Sequence, residues 1–146
     1  MEAYPVKLAK RAKPARRGAA FVARRRSDGA IWLRRRPETG LLGGMAEPPT
    51  SDWRAGQDGA VGAAAAPFPA DWAQKGAVTH VFTHFTLTLE VWQADLDRDP
   101  GTDGWWSGAN RLAGEALPTL MKKAIALAAP GALPPAPQKP KRTRLT

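Results

Sequence analysis

Cysteine is absent from the 146 residues of this chain, and histidine occurs only twice. Without cysteine the chain forms no disulfide, offers no thiolate nucleophile and supplies no thiolate to zinc or to an iron–sulfur cluster. Long apolar runs are also missing, because no stretch reaches the about 18 apolar residues that predict a membrane span. The basic start, residues 1–13, lacks the apolar segment of a secretory signal. These absences fit a protein of the reducing cytoplasm.

Acidic residues are the minority charge: 13 Asp and Glu stand against 22 Lys and Arg, which gives a formal net charge of +9. Twelve of the basic residues lie before residue 37 and four more lie after residue 138. A one-sided basic field attracts a phosphate backbone, because binding releases counterions from the nucleic acid. The alternative is a basic, soluble surface with disordered basic ends. Charge alone leaves both interpretations open.

Composition divides the chain into three parts. Residues 1–17 predict a basic connector and residues 131–146 a disordered basic tail, because proline and cations dominate both segments. Residues 18–130 have the size of one domain. The whole is expected to be a single small α+β domain with two basic tails.

Local patterns predict the elements of this domain. Residues 19–36 predict a β-hairpin around an Asp-Gly turn, and the alternation over residues 77–96 predicts two strands or one bent strand. A further strand is expected to begin at residues 105–106. A short helix is expected within residues 57–66, although two glycines weaken it. A second helix is predicted over residues 120–128, ended by a Pro-Gly pair.

Catalytic and metal-binding patterns are weak. His80 and His84 lie in a predicted strand, where they would be about 13 Å apart along it, with no obvious third ligand. No Gly-x-Ser-x-Gly nucleophile elbow occurs. The loop of residues 40–44 lacks the Gly-Lys-Ser/Thr ending of a Walker loop. We therefore predict no catalytic residues and no metal site.

The segment Phe82-Thr83-His84-Phe85 places an aromatic ring, a small hydroxyl and an imidazole side by side. A flat apolar ring can stack on or wedge against a base, and a hydroxyl or backbone N–H can bond a base edge. The alternative is a strand that turns over, with Phe82 in the core and His84 satisfied nearby. The segment by itself does not decide between them.

This segment is accompanied by other pieces along the chain, in the order in which they are found in one protein family. The pieces are Tyr4-Pro5-Val6-Lys7, then Arg34-Arg35-Arg36-Pro37, then Gly40-Leu41-Leu42-Gly43-Gly44-Met45 with Glu47, then His80-Val81-Phe82-Thr83-His84-Phe85 with Leu87 and Leu89, and Leu117-Pro118-Thr119-Leu120-Met121-Lys122-Lys123-Ala124. With them, the chain resembles the C-terminal domain of adenine DNA glycosylases of the MutY type. The resemblance spans residues 4–127.

The resemblance implies a Nudix-like sandwich of β-sheet and α-helix and a function in base excision repair of DNA damage. Such a domain recognises 8-oxoguanine in double-stranded DNA, opposite the adenine that the enzyme flips. Phe82, Thr83 and His84 match the family's Phe-Ser-His motif, which lies against the lesion, and threonine keeps the hydroxyl. The remaining expected roles are a supporting loop at Leu41, Gly43 and Gly44 and contacts to the DNA backbone from Arg34, Arg35, Arg36, Lys122 and Lys123.

The chain also departs from the family. Ala46 and Pro48 stand where the family often has tryptophan and another aromatic around Glu47. The Arg-Glu-x-x-Glu-Glu run with which Nudix hydrolases bind magnesium has no counterpart between Gly44 and Thr79, where the carboxylates are widely separated. Pyrophosphate hydrolysis is therefore expected to be lost. A Nudix-type hydrolase of oxidised nucleotides is the main alternative, and a protein-interaction domain with basic docking tails is the third.

In the family, the catalytic Glu and Asp and the four cysteines of a 4Fe-4S cluster belong to an upstream domain. The resemblance therefore implies that this chain alone is no enzyme and holds no cofactor. We expect it to be an isolated domain, a fragment or a truncated gene product, with a glycosylase domain as a partner in cis or in trans. The expected location is the bacterial cytoplasm, at the nucleoid, without membrane contact.

Overall fold

A computed structural model describes residues 13–38 and 40–133 of the chain. The strands are β1 (Ala15–Arg25), β2 (Ile31–Arg35), β3 (Ala46–Glu47), β4 (Ala73–Val81), β5 (Thr86–Leu96) and β6 (Trp105–Ser107); the helices are α1 (Ala109–Leu112) and α2 (Thr119–Ala128). The strands form one mixed sheet in the order β3-β2-β1-β5-β4, and β6 pairs with β2. The predicted α+β class is confirmed.

The central strand of the sheet is β1, which runs parallel to β5 from the Ala15–Thr86 pair to the Arg25–Leu96 pair. Residues 18–23 of β1 are buried throughout, because the strand has neighbours at both edges and cover on both faces. A strand in this position needs apolar side chains on both faces, which explains the unbroken apolar run in the sequence. The antiparallel pairing with β2 is confined to the Arg24–Ile31 pair.

The predicted hairpin turn between β1 and β2 is confirmed. Gly29 has a φ of 76°, and its N–H donates to the Arg25 carbonyl at 2.7 Å. Glycine adopts this left-handed conformation without steric cost, which is why Asp-Gly closes tight hairpins. Beyond the turn, β1 and β2 separate and the segment 45–51 lies between them. Its hydrogen bonds run from Arg36 N–H to the Met45 carbonyl and from Phe21 N–H to the Pro49 carbonyl.

The long alternating segment forms two antiparallel strands, β4 and β5, joined by a turn at residues 82–85. Its inward positions Leu87, Leu89 and Val91 meet one face of α2. The predicted helix is confirmed and begins at Thr119, directly after Pro118. Its buried residues are Leu120, Met121, Ala124, Ile125 and Ala128. Helix α2 thus covers one face of the sheet.

The other face of the sheet is covered by an irregular segment, residues 61–72, rather than by a long helix. Trp72 packs edge-on against Phe21 of β1 at 5.2 Å between ring centroids, and Phe68 packs against Trp72 at 5.5 Å. Trp106 of β6 packs edge-on against Trp32 at 5.1 Å. Aromatic side chains bury large apolar areas, so a few of them replace the cover that a helix would give. The domain is therefore a three-layer sandwich.

The structure corrects the expected helix within residues 57–66, since only Ala63–Ala65 form a short 3₁₀ turn. The reason is tertiary: Gly59 N–H donates to the Arg17 carbonyl at 2.8 Å, so the chain follows the edge of β1 there. A Cβ at Gly59 would lie 2.6 Å from Ser51 Oγ. The close approach of two backbone segments explains this glycine better than a helix does.

The limits drawn for the folded domain also differ. Strand β1 begins at Ala15 and not at residue 18, because Ala15 pairs with Thr86. Ala132 and Leu133, assigned to the tail, pack against the core. The rest of the predicted connector and tail, residues 1–12 and 134–146, lies outside the described residues. No helix in the described part of the chain is long and apolar enough to cross a membrane.

Candidate nucleic-acid interface

A wide groove of about 1460 Å³ opens where β5 begins and β2 ends. It is larger than the about 300–1,000 Å³ of a typical small-molecule pocket. Its walls come from four parts of the chain. The first comprises residues 34–37, 40, 41 and 47, and the second comprises residues 49–55 and 67. The third and fourth are residues 82–85 and residues 102–105. The groove therefore brings together segments that are far apart in the sequence.

The turn between β4 and β5, hereafter the 82–85 turn, forms one wall. Phe82 N–H donates to the Phe85 carbonyl at 2.8 Å, and the Phe82 ring stacks on the Phe85 ring at 4.7 Å. Phe85 is buried in the core and Phe82 is half-buried, whereas Thr83 and His84 are exposed. The two stacked rings hold the turn, so that a hydroxyl and an imidazole are presented to the groove and solvent.

Trp53 lies under this turn, and the sequence analysis did not single it out. Its ring stacks on Phe82 at 6.0 Å and contacts Phe85 at 6.5 Å, and the Arg36 guanidinium lies 4.8 Å from its centroid. Trp53 is 3% exposed, and its Nε1 finds no hydrogen-bond partner in the part of the chain that the structure describes. Trp53 is the one aromatic residue in the sequence between Met45 and Pro67, and this isolation is the feature by which the sequence could have singled it out.

The opposite wall carries a buried carboxylate and three arginines, which are Arg34 and Arg35 of β2 and the next residue, Arg36; we call these three the arginines of β2. Glu47, 1% exposed, accepts hydrogen bonds from Arg34 Nε at 2.8 Å and from Arg36 Nη1 at 2.7 Å. Arg34 also donates to the Thr50 carbonyl and Arg36 to the Leu41 carbonyl. Arg35 is exposed and makes no hydrogen bond to another described residue. Arg34 and Arg36 thus have fixed positions, and Arg35 is the most available of the three.

The glycine loop before β3 supports this wall by close packing. Gly43 has no room for a side chain, since a Cβ there would collide with the Glu38 carbonyl oxygen. Gly44 N–H donates to the Pro37 carbonyl at 2.9 Å. Leu41 lines the groove with 40% of its surface exposed, whereas neither glycine lines it. The loop therefore positions Leu41 and Arg36, as a supporting loop would.

Comparisons with known proteins agree with this architecture. The NUDIX domain family matches residues 19–127, which is most of the chain.

The chain belongs to the NUDIX domain family.

Two solved structures share its fold. One is the C-terminal domain of mouse MUTYH, in complex with human PCNA, with 23% sequence identity, a TM-score of 0.60 and coverage of 76% of this chain and 85% of that chain. The other is the MutT protein from Methanosarcina mazei Go1, with 17% identity, a TM-score of 0.59 and coverage of 77% and 91%. No curated protein matches the chain. The predicted Nudix-like fold is confirmed, and identities this low indicate the fold alone.

In this NUDIX domain, Phe82, Thr83 and His84 line the same groove as Leu41 and the arginines of β2. The sequence analysis had assigned these residues to lesion binding, to a supporting loop and to contacts with the DNA backbone, and these roles stay predictions. Lys122 and Lys123 are different: they lie on the exposed side of α2 and do not line the groove. Their expected contact with a DNA backbone stays a prediction.

The two histidines of the NUDIX domain lie at different places. His80 is in β4, where its ring packs edge-on against Phe82 at 4.6 Å, while His84 is exposed in the turn. Over residues 13–38 and 40–133, no three His, Asp or Glu side chains come close enough together to hold a metal ion. Glu47, which lines the groove and is buried, bonds to two guanidinium groups.

Proposed function

We propose that this NUDIX domain is a DNA-repair module that recognises 8-oxoguanine opposite adenine in double-stranded DNA. The observation that carries the proposal is the position of the 82–85 turn. Its exposed hydroxyl and imidazole border a groove whose far wall carries three arginines. A base can enter beside the turn while cations face the phosphates around it.

The chemistry of the turn suits the lesion. Oxidation of guanine adds a carbonyl oxygen at C8 and changes N7 from a hydrogen-bond acceptor to a donor. The Thr83 hydroxyl can donate to one of these groups and accept from the other. Phe82 would wedge against the base, supported from behind by Phe85 and Trp53. His84 would border the base on the exposed side. One well-placed base contact discriminates by about 1–3 kcal/mol.

The proposal gives this chain recognition and no catalysis. Removal of the adenine would require a glycosylase domain, in cis or in trans, and a 4Fe-4S cluster would belong to that domain. The fold that this chain shares with the C-terminal domain of mouse MUTYH supports the proposal of a recognition module. We place the protein in the bacterial cytoplasm, at the nucleoid.

The alternative is hydrolysis of oxidised nucleotides, which the shared fold with the MutT protein brings to attention. The groove is large enough for a nucleotide. Its buried carboxylate, however, is engaged by Arg34 and Arg36, and metal ions need clustered carboxylates. Magnesium-dependent release of phosphate products from 8-oxo-dGTP would favour this alternative over lesion recognition.

The test is fluorescence anisotropy of the full chain with two duplexes at the same salt concentration. One duplex holds 8-oxoguanine opposite adenine, and the other holds guanine at that position. We expect tighter binding to the oxidised duplex by about tenfold, which corresponds to about 1.4 kcal/mol. Equal, salt-sensitive binding to both duplexes would mean that the chain holds DNA without reading the lesion, and would contradict the proposal.

The residue-level test is Thr83→Ala. It removes the hydroxyl from the exposed turn, so we expect the preference for the oxidised duplex to fall several-fold. Thr79→Ala is the matched control, because Thr79 pairs with Thr88 across the strands and lies outside the groove. If Thr83→Ala left the preference unchanged, the role of Thr83 would be wrong.

A further inference from the structure

The two residues before β1 are attached by one hydrogen bond to the 82–85 turn and by another to the first residue of β5. Lys13 Nζ donates to the Phe82 carbonyl at 2.9 Å, and Thr86 N–H donates to the Pro14 carbonyl at 2.9 Å. Lys13 is exposed. A lysine ammonium has three N–H donors, so the contact with Phe82 leaves two of them for another acceptor. A cation with free donors therefore lies beside the first residue of the turn.

A second cation, Arg16, lies on the groove side of β1. Arg16 Nε donates to the Ala55 carbonyl at 2.8 Å, which holds the half-buried side chain against residues that line the groove. Its orientation follows from the strand, because side chains two positions apart share a face. A Cβ at Gly18 would lie 3.0 Å from Trp53 Cδ1, so this face of β1 is the Trp53 face.

These two cations differ from the arginines of the opposite wall. Arg34 and Arg36 share the buried Glu47 carboxylate, which offsets one of their two positive charges. Lys13 and Arg16 bond to backbone carbonyls, which are neutral, and have no carboxylate within ion-pair distance among the described residues. No carboxylate of the described residues therefore offsets their charge at the edge of the groove. We call this pair the Lys13–Arg16 site.

We propose that the two cations of the Lys13–Arg16 site each bind a phosphate of the DNA strand next to the recognised base. This inference rests on the proposed function and adds a grip on the backbone beside the turn that reads the base. Because Lys13 contacts the turn itself, a bound phosphate would hold the strand beside Thr83 to the same extent whether or not the guanine is oxidised. Contacts to phosphate position a protein on DNA, and contacts to base edges specify the sequence or lesion.

The experiment measures the salt dependence of binding to both duplexes by fluorescence anisotropy. Each phosphate contact contributes about 0.9 to the slope of log K against log salt concentration. For Lys13→Gln with Arg16→Gln we therefore expect the slope to become smaller by about 1.8, with affinity lowered equally for the oxidised and unoxidised duplexes. The preference ratio should stay unchanged, whereas Thr83→Ala should change the ratio and keep the slope.

The matched control removes two charges elsewhere, in Lys75→Gln with Arg98→Gln. Arg98 follows the far end of β5, about 35 Å along the strand from Thr86, and Lys75 lies near the far end of β4. An equal loss of slope in this control would mean a general effect of charge and would overturn the inference. Arg16→Lys keeps the charge and should keep the slope, which separates phosphate binding from a structural effect of the bond to Ala55.

The two proposals fail in different ways. A lesion preference together with an unchanged slope in the Lys13 and Arg16 variants would refute the phosphate site and leave lesion reading intact. A reduced slope without any lesion preference would support the phosphate site and refute lesion reading. If the double substitution weakened binding of 8-oxo-dGTP and left the DNA slope unchanged, the site would serve a free nucleotide and the inference would be wrong.

Discussion

Glu47→Gln tests how the arginine wall of the groove is held in place. The wild-type carboxylate is 1% exposed and bonds to Arg34 at 2.8 Å and to Arg36 at 2.7 Å. Glutamine has the same shape, but it removes the negative charge and leaves two guanidinium groups around a neutral amide. One amide oxygen remains to accept, and the amide N–H₂ faces donors that it cannot bond.

The magnitude follows from the burial of the three groups. Removing one partner of a fully buried ion pair costs about 3–5 kcal/mol. Here the Arg34 side chain is 37% exposed and the Arg36 side chain 14%, so water screens part of the unpaired charge. We therefore expect a loss of about 2–4 kcal/mol in the free energy of unfolding. For a domain of this size, this lowers the melting temperature by about 10 °C.

The assay is urea unfolding at pH 7 followed by tryptophan fluorescence. The matched control is Asp52→Asn, because the Asp52–Arg54 pair has a similar distance of 3.0 Å but side chains that are 72% and 66% exposed. Exposed pairs contribute about 0–1 kcal/mol, so this variant should unfold almost as the wild type does. A Glu47→Gln variant as stable as Asp52→Asn would refute the reasoning, because burial would then not increase the contribution of an ion pair to the free energy of unfolding.

Two further predictions concern the aromatic stack and the hairpin. Trp53→Leu should lower the free energy of unfolding by about 2–4 kcal/mol and also weaken the lesion preference, because Phe82 loses its support. The control is Trp106→Leu, on the other face of the sheet, which should lower stability and keep the lesion preference. An unchanged lesion preference in Trp53→Leu would contradict the role of the stack. Asp28 accepts hydrogen bonds from the Arg25 guanidinium and from Ala30 N–H, which lower its pKa to about 2 from the ordinary value of 3.8. Because its folded pKa is depressed, its contribution to stability is present above 3.8 and is lost as the pH falls through about 2. The difference in unfolding free energy between the wild type and Asp28→Asn should therefore shrink over this range in a pH series of urea titrations, and a constant difference would count against the pair.

Local patterns were sufficient where an element depends on its own residues. The Asp-Gly turn, the alternation of β4 and β5 and the apolar face of α2 were each predicted from neighbouring positions. The same patterns failed at residues 57–66, where the chain follows β1 so closely that a side chain at Gly59 would collide with Ser51. They also set the start of β1 too late, because Ala15 becomes a strand residue only through its partner Thr86.

The residues of the candidate site likewise fall into those that the sequence selected and those that it did not. The resemblance selected Phe82, Thr83 and His84, along with Leu41 and the arginines of β2, and these residues meet at one groove. It did not select Trp53, Lys13 or Arg16. Trp53 stands in an irregular segment without periodicity, so its stacking on Phe82 has no local signal. Lys13 was only one of the twelve basic residues before residue 37.

The sequence by itself determined the α+β class, the excess of positive charge and the absence of any thiol chemistry, because these depend on composition and short-range periodicity. Only the tertiary structure decided which cations remain available. Arg34 and Arg36 are adjacent to Arg35 in the sequence, yet both of them bond to Glu47 of β3, whose single negative charge offsets one of their two positive charges. Lys13 reaches Phe82 because β1 and β5 run parallel, and the pairing brings residues 69 positions apart within 2.9 Å. Charge counts along a chain add independently, whereas the charge that a surface presents depends on which groups the fold brings into contact.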